Sequence, residues 1–204
     1  DILLSVSAEE FQPLNYEKSS MTLVSAEDQQ ILLERFGDRD LKLCSGGSTA
    51  NSVIGLAQLG GRGAFSASLA DDKFGHFYKG EFAELGINLH APLLKQNSTG
   101  TCVVLVTPDS ERTMRTSLAA AQSLGEDHIS EQFIRDSEWI YIEGYLLGNG
   151  EIAHKAISRA IRLAKQHGTK IAITCSDGFV VDIFGAQLRE YVAQADLVFA
   201  NTNE

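Results

Sequence analysis

Cysteine is scarce in this sequence, and basic charge is nowhere concentrated. The three cysteines, Cys44, Cys102 and Cys175, are odd in number, unclustered and set in or beside apolar segments. That speaks against a disulfide framework and against a thiolate metal site, and it reads as reduced core thiols. The five histidines are scattered and show no ligand spacing. Lysine and arginine total 17 against 27 aspartates and glutamates, a net charge of −10, with no basic cluster. This argues against a nucleic-acid surface and against a polybasic membrane patch. No apolar run approaches the length of a membrane span. No secretory leader is visible, although the chain starts at Asp1 and need not show its true N-terminus. Internal repeats and low-complexity segments are lacking too. The expectation is a cytoplasmic protein with neither nucleic acid nor membrane as a partner.

What is present is an ordinary globular composition. There are 204 residues, 44% hydrophobic and 22% charged, enough for one domain with a sizeable core. Asp1–Ser7 reads as a strand and 11–21 as a loop. Ser25 with Asp28 makes a capping box for a helix through Ile31, Leu32 and Phe36 that stops at Gly37. A short strand, Leu41–Cys44, leads into glycines. Gly63–Leu69 reads as a strand, and Asp71 or Asp72 caps a helix ending at Gly86. Residues 87–95 read as extended. Cys102–Val106 and Arg112–Leu118 form a hairpin about the turn Thr107–Ser110, a small antiparallel sheet apart from the main one. Arg112 and Arg115 read as its solvated face, the alternative being an Arg that closes over substrate or phosphate. From Glu138 onward strand and helix alternate: strand 139–142, helix 152–167 with Gly168 beyond it, strand 170–175, helix 182–194, strand 196–200. Alternation of this kind implies parallel strands in a doubly wound sheet, with ligands at the carboxyl ends of the strands. That rule singles out Glu143, Ser176-Asp177 and Asn201-Thr202-Asn203-Glu204.

The stretch Gly46-Gly47-Ser48-Thr49-Ala50-Asn51-Ser52 is a glycine turn feeding a helix. Glycines let a ligand approach the backbone, helix-start N–H groups favour hydroxyls or anions, and Asn51 offers a donor and an acceptor. The same residues would also serve as a packing turn before a buried helix.

With these pieces placed, the chain resembles the ribokinase-like (PfkB) carbohydrate kinases, and within them the adenosine kinase branch. Four features carry the resemblance: Gly46–Ser52; Leu69-Ala70-Asp71-Asp72-Lys73-Phe74-Gly75; Thr99–Cys102 with Glu111–Met114 and Leu118–Ala121; and the Asn-x-x-Glu of Asn201–Glu204. The departures are Thr49 and Val53, where smaller residues or Ser, Thr or Ala are usual, and Ala70, where Gly is common.

The resemblance implies an α/β fold with a mainly parallel sheet, helices on both faces and a small β-sheet lid. Residues 1–204 would be the N-terminal part of one kinase domain, with lid segments near 1–7 and 87–118. The catalytic Asp is expected beyond Glu204, in a Gly-Ala-Gly-Asp motif, together with most of the nucleotide site. The implied function is the acceptor-binding portion of an ATP-dependent kinase acting on a hydroxyl of a nucleoside, adenosine-like, or of a sugar, with ATP and Mg²⁺ as cofactors. By the same resemblance Asp1, Gly46, Gly47 and Asn51 bind the acceptor, and Glu143 is added from its strand end. Asn201 and Glu204 belong to the phosphate and magnesium network without ligating the metal directly, and Asp177 joins them by position. Pairing of two chains through the lid is the expected partnership. The alternative is a non-catalytic ligand-binding or dimerisation module with a degenerate kinase fold.

Overall fold

Burial alternates along Ile2–Ser5 and Arg112–Ser117 and recurs at helical spacing along Glu151–His167, which sets the faces that meet the cores. The computed structural model describes residues 1–37, 39 and 41–204. In chain order the strands are β1 Ile2–Ser5, β2 Met21–Leu23, β3 Lys42–Leu43, β4 Ala64–Ser66, β5 Leu69–Ala70, β6 Asn88–His90, β7 Leu93–Leu94, β8 Thr101–Val106, β9 Arg112–Ser117, β10 Trp139–Glu143, β11 Lys170–Thr174 and β12 Leu197–Phe199. The helices are α1 Ala8–Phe11, α2 Ala26–Glu34, α3 Ser48–Gln58, α4 Lys73–Glu84, α5 Glu131–Arg135, α6 Glu151–His167 and α7 Gly178–Val192. They divide between two units, one made of 1–47, 69–81 and 93–121, the other of 48–68, 82–92 and 122–204. No helix among the described residues is long and apolar enough to cross a membrane.

The first unit is built on a five-stranded sheet of order β2-β9-β8-β1-β3. β1 runs parallel to β8, pairing Ile2 with Val103 and Leu4 with Leu105, and β8 turns back antiparallel into β9. Ile2, Leu4, Val103 and Leu105 therefore share one face, where they pack with Leu32 and Phe36. Burying each such side chain contributes roughly 1.5–3 kcal/mol. Ser25 caps α2 by accepting from Asp28 N at 3.0 Å. Buried Gln29 of the same helix donates to Thr101 O at 3.0 Å and Arg115 O at 2.8 Å, bolting helix to hairpin.

Two expectations change in this unit, and a third narrows to one residue. The span 11–21 is not simply a loop. Ser7 and Glu10 form a reciprocal cap on the short α1, a helical turn at Gln12–Leu14 follows, and β2 pairs parallel with β9. β2 carries no pattern of its own, since all three residues are exposed; its partner defines it. Arg115 is not solvated. Alternation along β9 buries Thr113, Arg115 and Ser117, and Arg115 lies 3.8 Å from the Tyr16 ring centroid while donating to Met114 O at 2.9 Å. Of the two candidate caps on α4, Asp72 does the work. It accepts from Gly75 N at 2.8 Å, Thr99 N at 2.7 Å and Thr99 Oγ1 at 2.8 Å, while Asp71 pairs with His76. Burial opposes the charged form of Asp72, but these donors outweigh it and its pKa lies below the ordinary value.

The second unit holds the parallel sheet β10-β11-β12, with Glu143 beside Thr174 and Thr174 beside Phe199. Ile171, Ala172 and Ile173 are all buried, as expected of a strand covered on both faces. α6 contributes Ala153, Ala156, Ile157, Ala160, Ile161 and Ala164 to burial at helical spacing. Its C-cap is Gly168, which donates to Ala164 O. Two boundaries differ from the pattern. The strand expected over 63–69 is split, β4 pairing with β6 in this unit and β5 with β7 in the other. α7 starts at Gly178 because Asp177 caps it, accepting from Phe179 N at 3.2 Å, and the helix is interrupted at Phe184. Cys175 is buried and Cys44 and Cys102 half-buried, all as free thiols.

Candidate functional site

Each unit contributes its own group of candidate residues. In the first, Asp1 is pinned to the residue that precedes the glycine turn. Its backbone nitrogen donates to Cys44 O at 2.7 Å, and Cys44 N donates back to Asp1 O at 3.1 Å. The Asp1 carboxyl then lies against Gly46. A Cβ at Gly46 would stand 2.6 Å from the Asp1 Cγ and 2.8 Å from Oδ1, so a side chain there would push the Asp1 carboxyl out of its place. Gly47 follows at φ 113°, a conformation that side-chain-bearing residues rarely adopt.

Two residues of α4 hold this turn, and nothing in their sequence pattern announces them. Glu81 Oε2 accepts from Ser45 N at 2.5 Å, and Tyr78 OH donates to Gly46 O at 3.5 Å. They are one helical turn apart, which puts both on one face of the helix. The Ser45 hydroxyl is buried with no partner among the described residues.

In the second unit the carboxyl ends of the three parallel strands gather Glu143, Asp177, Asn201 and Glu204. After β10 the chain turns at Gly144, where a Cβ would meet Cys175 O at 2.7 Å and Thr174 O at 2.8 Å. That close approach lets Gly144 N and Tyr145 N both donate to Ser176 Oγ, at 2.9 and 3.3 Å. Ser176 takes a positive φ of 72°, unusual for a residue with a side chain, and turns the chain into the α7 cap at Asp177.

Tyr145 donates to Asp177 Oδ2 at 3.2 Å. Its phenol is pushed up to about 12, first by burial, then by the Asp177 charge and hydrogen bond, with Glu143 and Glu204 adding. Three carboxylates therefore act on one phenol. Asn201 and Glu204 close on each other: Asn201 Nδ2 donates to Glu204 Oε1 at 2.7 Å, and Glu204 N donates to Asn201 Oδ1 at 3.2 Å. This fixes the Asn-x-x-Glu carboxylate near Tyr145 and Cys175, whose thiol is raised by burial and by the Glu204 charge.

The structure thus brings Asp1 and Gly46 together in one unit, and Glu143, Asp177 and Glu204 around Tyr145 in the other. Asn51 is exposed in the first turn of α3. Its neighbour Thr49 has a buried hydroxyl without a partner among the described residues. Tyr145 was open to discovery, lying two residues beyond a strand end; Glu81 and Tyr78 were not. Among the described residues no three His, Cys, Asp or Glu side chains converge closely enough to hold a metal ion.

Residues 30–204 match the pfkB family carbohydrate kinase profile. A 5-dehydro-2-deoxygluconokinase of Clostridium perfringens is 32% identical over 151 residues, covering 72% of this chain and 41% of that protein. Adenosine kinase 2 of Arabidopsis thaliana is 25% identical over 214 residues, 99% of this chain and 61% of that protein. The crystal structure of adenosine kinase from Sinorhizobium meliloti superposes with a TM-score of 0.87 at 31% identity, over 100% of this chain and 62% of that one. The chain therefore spans less than two thirds of the length of these relatives.

Proposed function

The chain belongs to the pfkB family of carbohydrate kinases, and on that premise we propose that the intact protein transfers the γ-phosphoryl group of ATP to a hydroxyl of a nucleoside, adenosine-like in its sugar and base. The observation that carries this reading is the Asp1 carboxyl held against Gly46, with no room for a side chain between. A carboxylate offers several acceptor lone pairs and no donor, which suits a pair of sugar hydroxyls. The bare backbone of Gly46-Gly47 lets the sugar come close; Asn51, in the second unit, is by itself a candidate with a donor and an acceptor to offer. Glu143 is a further candidate for an acceptor hydroxyl.

Asp177, Asn201 and Glu204 serve the phosphate side. The carboxylates of Asp177 and Glu204 share a neighbourhood with Tyr145, where like charge calls for a counter-ion, and the Asn201 amide holds Glu204 in place. Hydrated magnesium, bound there with ATP, would offset charge developing between the donor phosphates. The acceptor oxygen attacks in line and the β–γ bridging bond breaks. The hydroxyl proton passes to a carboxylate carried elsewhere in the intact protein. What these residues supply is orientation of the acceptor, the larger part of such catalysis.

A sugar acid is the second reading, supported by the 32% identity with a 5-dehydro-2-deoxygluconokinase. Initial rates of ADP release by the intact protein, with ATP and Mg²⁺, separate the two. Adenosine should be turned over with a higher kcat/KM than ribose or 5-dehydro-2-deoxygluconate. A preference for the sugar acid would move the assignment to the second reading. No transfer to any of the three would overturn the kinase proposal and favour a ligand-binding module.

A further inference from the structure

The outer face of α6 concentrates positive charge in a chain of net −10. Lys155, Arg159 and Arg162 follow one another at spacings of four and three, so they form one stripe. With Ser158, His154 and Glu126 they line an open depression of about 370 Å³. Most of these groups are already engaged. His154 Nδ1 is 2.9 Å from Tyr191 OH. Lys155 is paired with Glu151 at 2.8 Å, and that hydrogen bond chiefly raises its pKa, with Glu126 adding a smaller push. The nearby carboxylates are thus directed at Lys155.

Arg159 and Arg162 form no ion pair among the described residues, although the Glu126 carboxylate lines the same depression. Arg162 is exposed, and neither makes a hydrogen bond or ion pair among the described residues. The Arg159 Nε is shielded from water and has no acceptor, an arrangement that costs free energy until an acceptor arrives. Two guanidinium forks one helical turn apart match the oxygens of a tetrahedral oxyanion, and the neighbouring Ser158 hydroxyl can add a donor.

We propose that this depression binds a small phosphate-bearing anion, with its oxygens taken by Arg159 and Arg162. The ion is either free phosphate or the phosphoryl end of an ester, and the two share the chemistry. The site lies wholly within the second unit and uses none of the residues assigned above to acceptor or phosphoryl transfer.

The test follows the arginine Nε–H signals of the ¹⁵N-labelled intact protein during titration with inorganic phosphate and, separately, with methyl phosphate. Sodium chloride of matched ionic strength is the control. The Arg159 signal, identified by its loss in Arg159→Gln, should shift saturably with phosphate, and Arg162→Glu should weaken the apparent affinity by about tenfold. Arg162 is exposed, so that variant should keep its fold even if Arg159→Gln does not. Saturation by methyl phosphate as well as phosphate identifies an ester-binding site, and saturation by phosphate alone a free-ion site. A non-saturating shift that chloride reproduces would reduce the patch to a screened helix face. Saturable binding unchanged in Arg162→Glu would place any phosphate elsewhere. Either result overturns the proposal.

Discussion

Replacing Gly46 by alanine tests the acceptor site at its tightest point. The new methyl would stand 2.6 Å from the Asp1 Cγ, inside an ordinary contact by roughly 1 Å. The backbone cannot give, because Asp1 N and Asp1 O are both tied to Cys44, at 2.7 and 3.1 Å. The carboxyl must therefore rotate away. Gly46 is not among the residues with positive φ, so the variant carries no added backbone strain and should fold. If the carboxylate accepts hydrogen bonds from the acceptor, one such bond to a charged group is lost, worth about 1.5–3 kcal/mol. That corresponds to a rise in acceptor KM on the order of 10- to 100-fold. The KM for ATP should stay within about twofold, since nothing on the phosphate side has moved. The assay is initial-rate kinetics on the intact protein with each substrate varied in turn, alongside a melting curve. Gly55→Ala is the control. It lies within α3 with nothing within 4 Å of its Cβ, so it should leave both KM values alone and stabilise by about 0.5–1 kcal/mol. An unchanged acceptor KM in a folded Gly46→Ala protein would remove Asp1 from the acceptor site and refute the reasoning.

Glu81→Ala should raise acceptor KM through a loosened Ser45-Gly46 turn, while Glu81→Gln, which keeps an acceptor oxygen for Ser45 N, should restore most of it; equal effects of the two in kinetics would deny Glu81 its positioning role. Asn51→Ala should weaken acceptor binding by about 1–3 kcal/mol, read by titration calorimetry, and an unchanged constant would take Asn51 out of the site. Gly144→Ala forces a methyl against the carbonyls of Thr174 and Cys175, which are backbone and cannot swing aside; urea denaturation should show a loss of about 1–3 kcal/mol, and a neutral result would contradict the close packing of the two strand ends. Tyr145 has its folded pKa raised from 10.0 to about 12, so the folded state keeps this proton more tightly than the unfolded state. Its contribution is fully present below pH 10 and is lost as pH rises through 12. Melting temperatures from pH 9 to 12 should fall less steeply in Tyr145→Phe than in the parent, and parallel curves would show the phenol to be unperturbed.

Much of this protein could be read from the chain alone, for reasons that are local. Hydrophobic period and caps placed α2, α4, α6, β8, β9 and the alternation after Glu138, because they depend on neighbours a few residues away. The rule that ligands gather at strand ends singles out Glu143, Asp177 and Asn201–Glu204 from the sequence alone, and the glycine turn marks Gly46 and Gly47. Pairing across the chain decided the rest. β2 exists because β9 offers it an edge, and Arg115 is buried because β9's register turns it inward. Asp1 meets Gly46 only because β1 and β3 pair, which puts residues 45 positions apart in sequence side by side. Glu81 reaches Ser45, Tyr145 collects the influence of three carboxylates, and the Nε of half-buried Arg159 is shielded without an acceptor by the same cause. Which residues are neighbours in space depends on strand register and helix packing, and these are settled by the free energy of the whole fold and not by any local pattern.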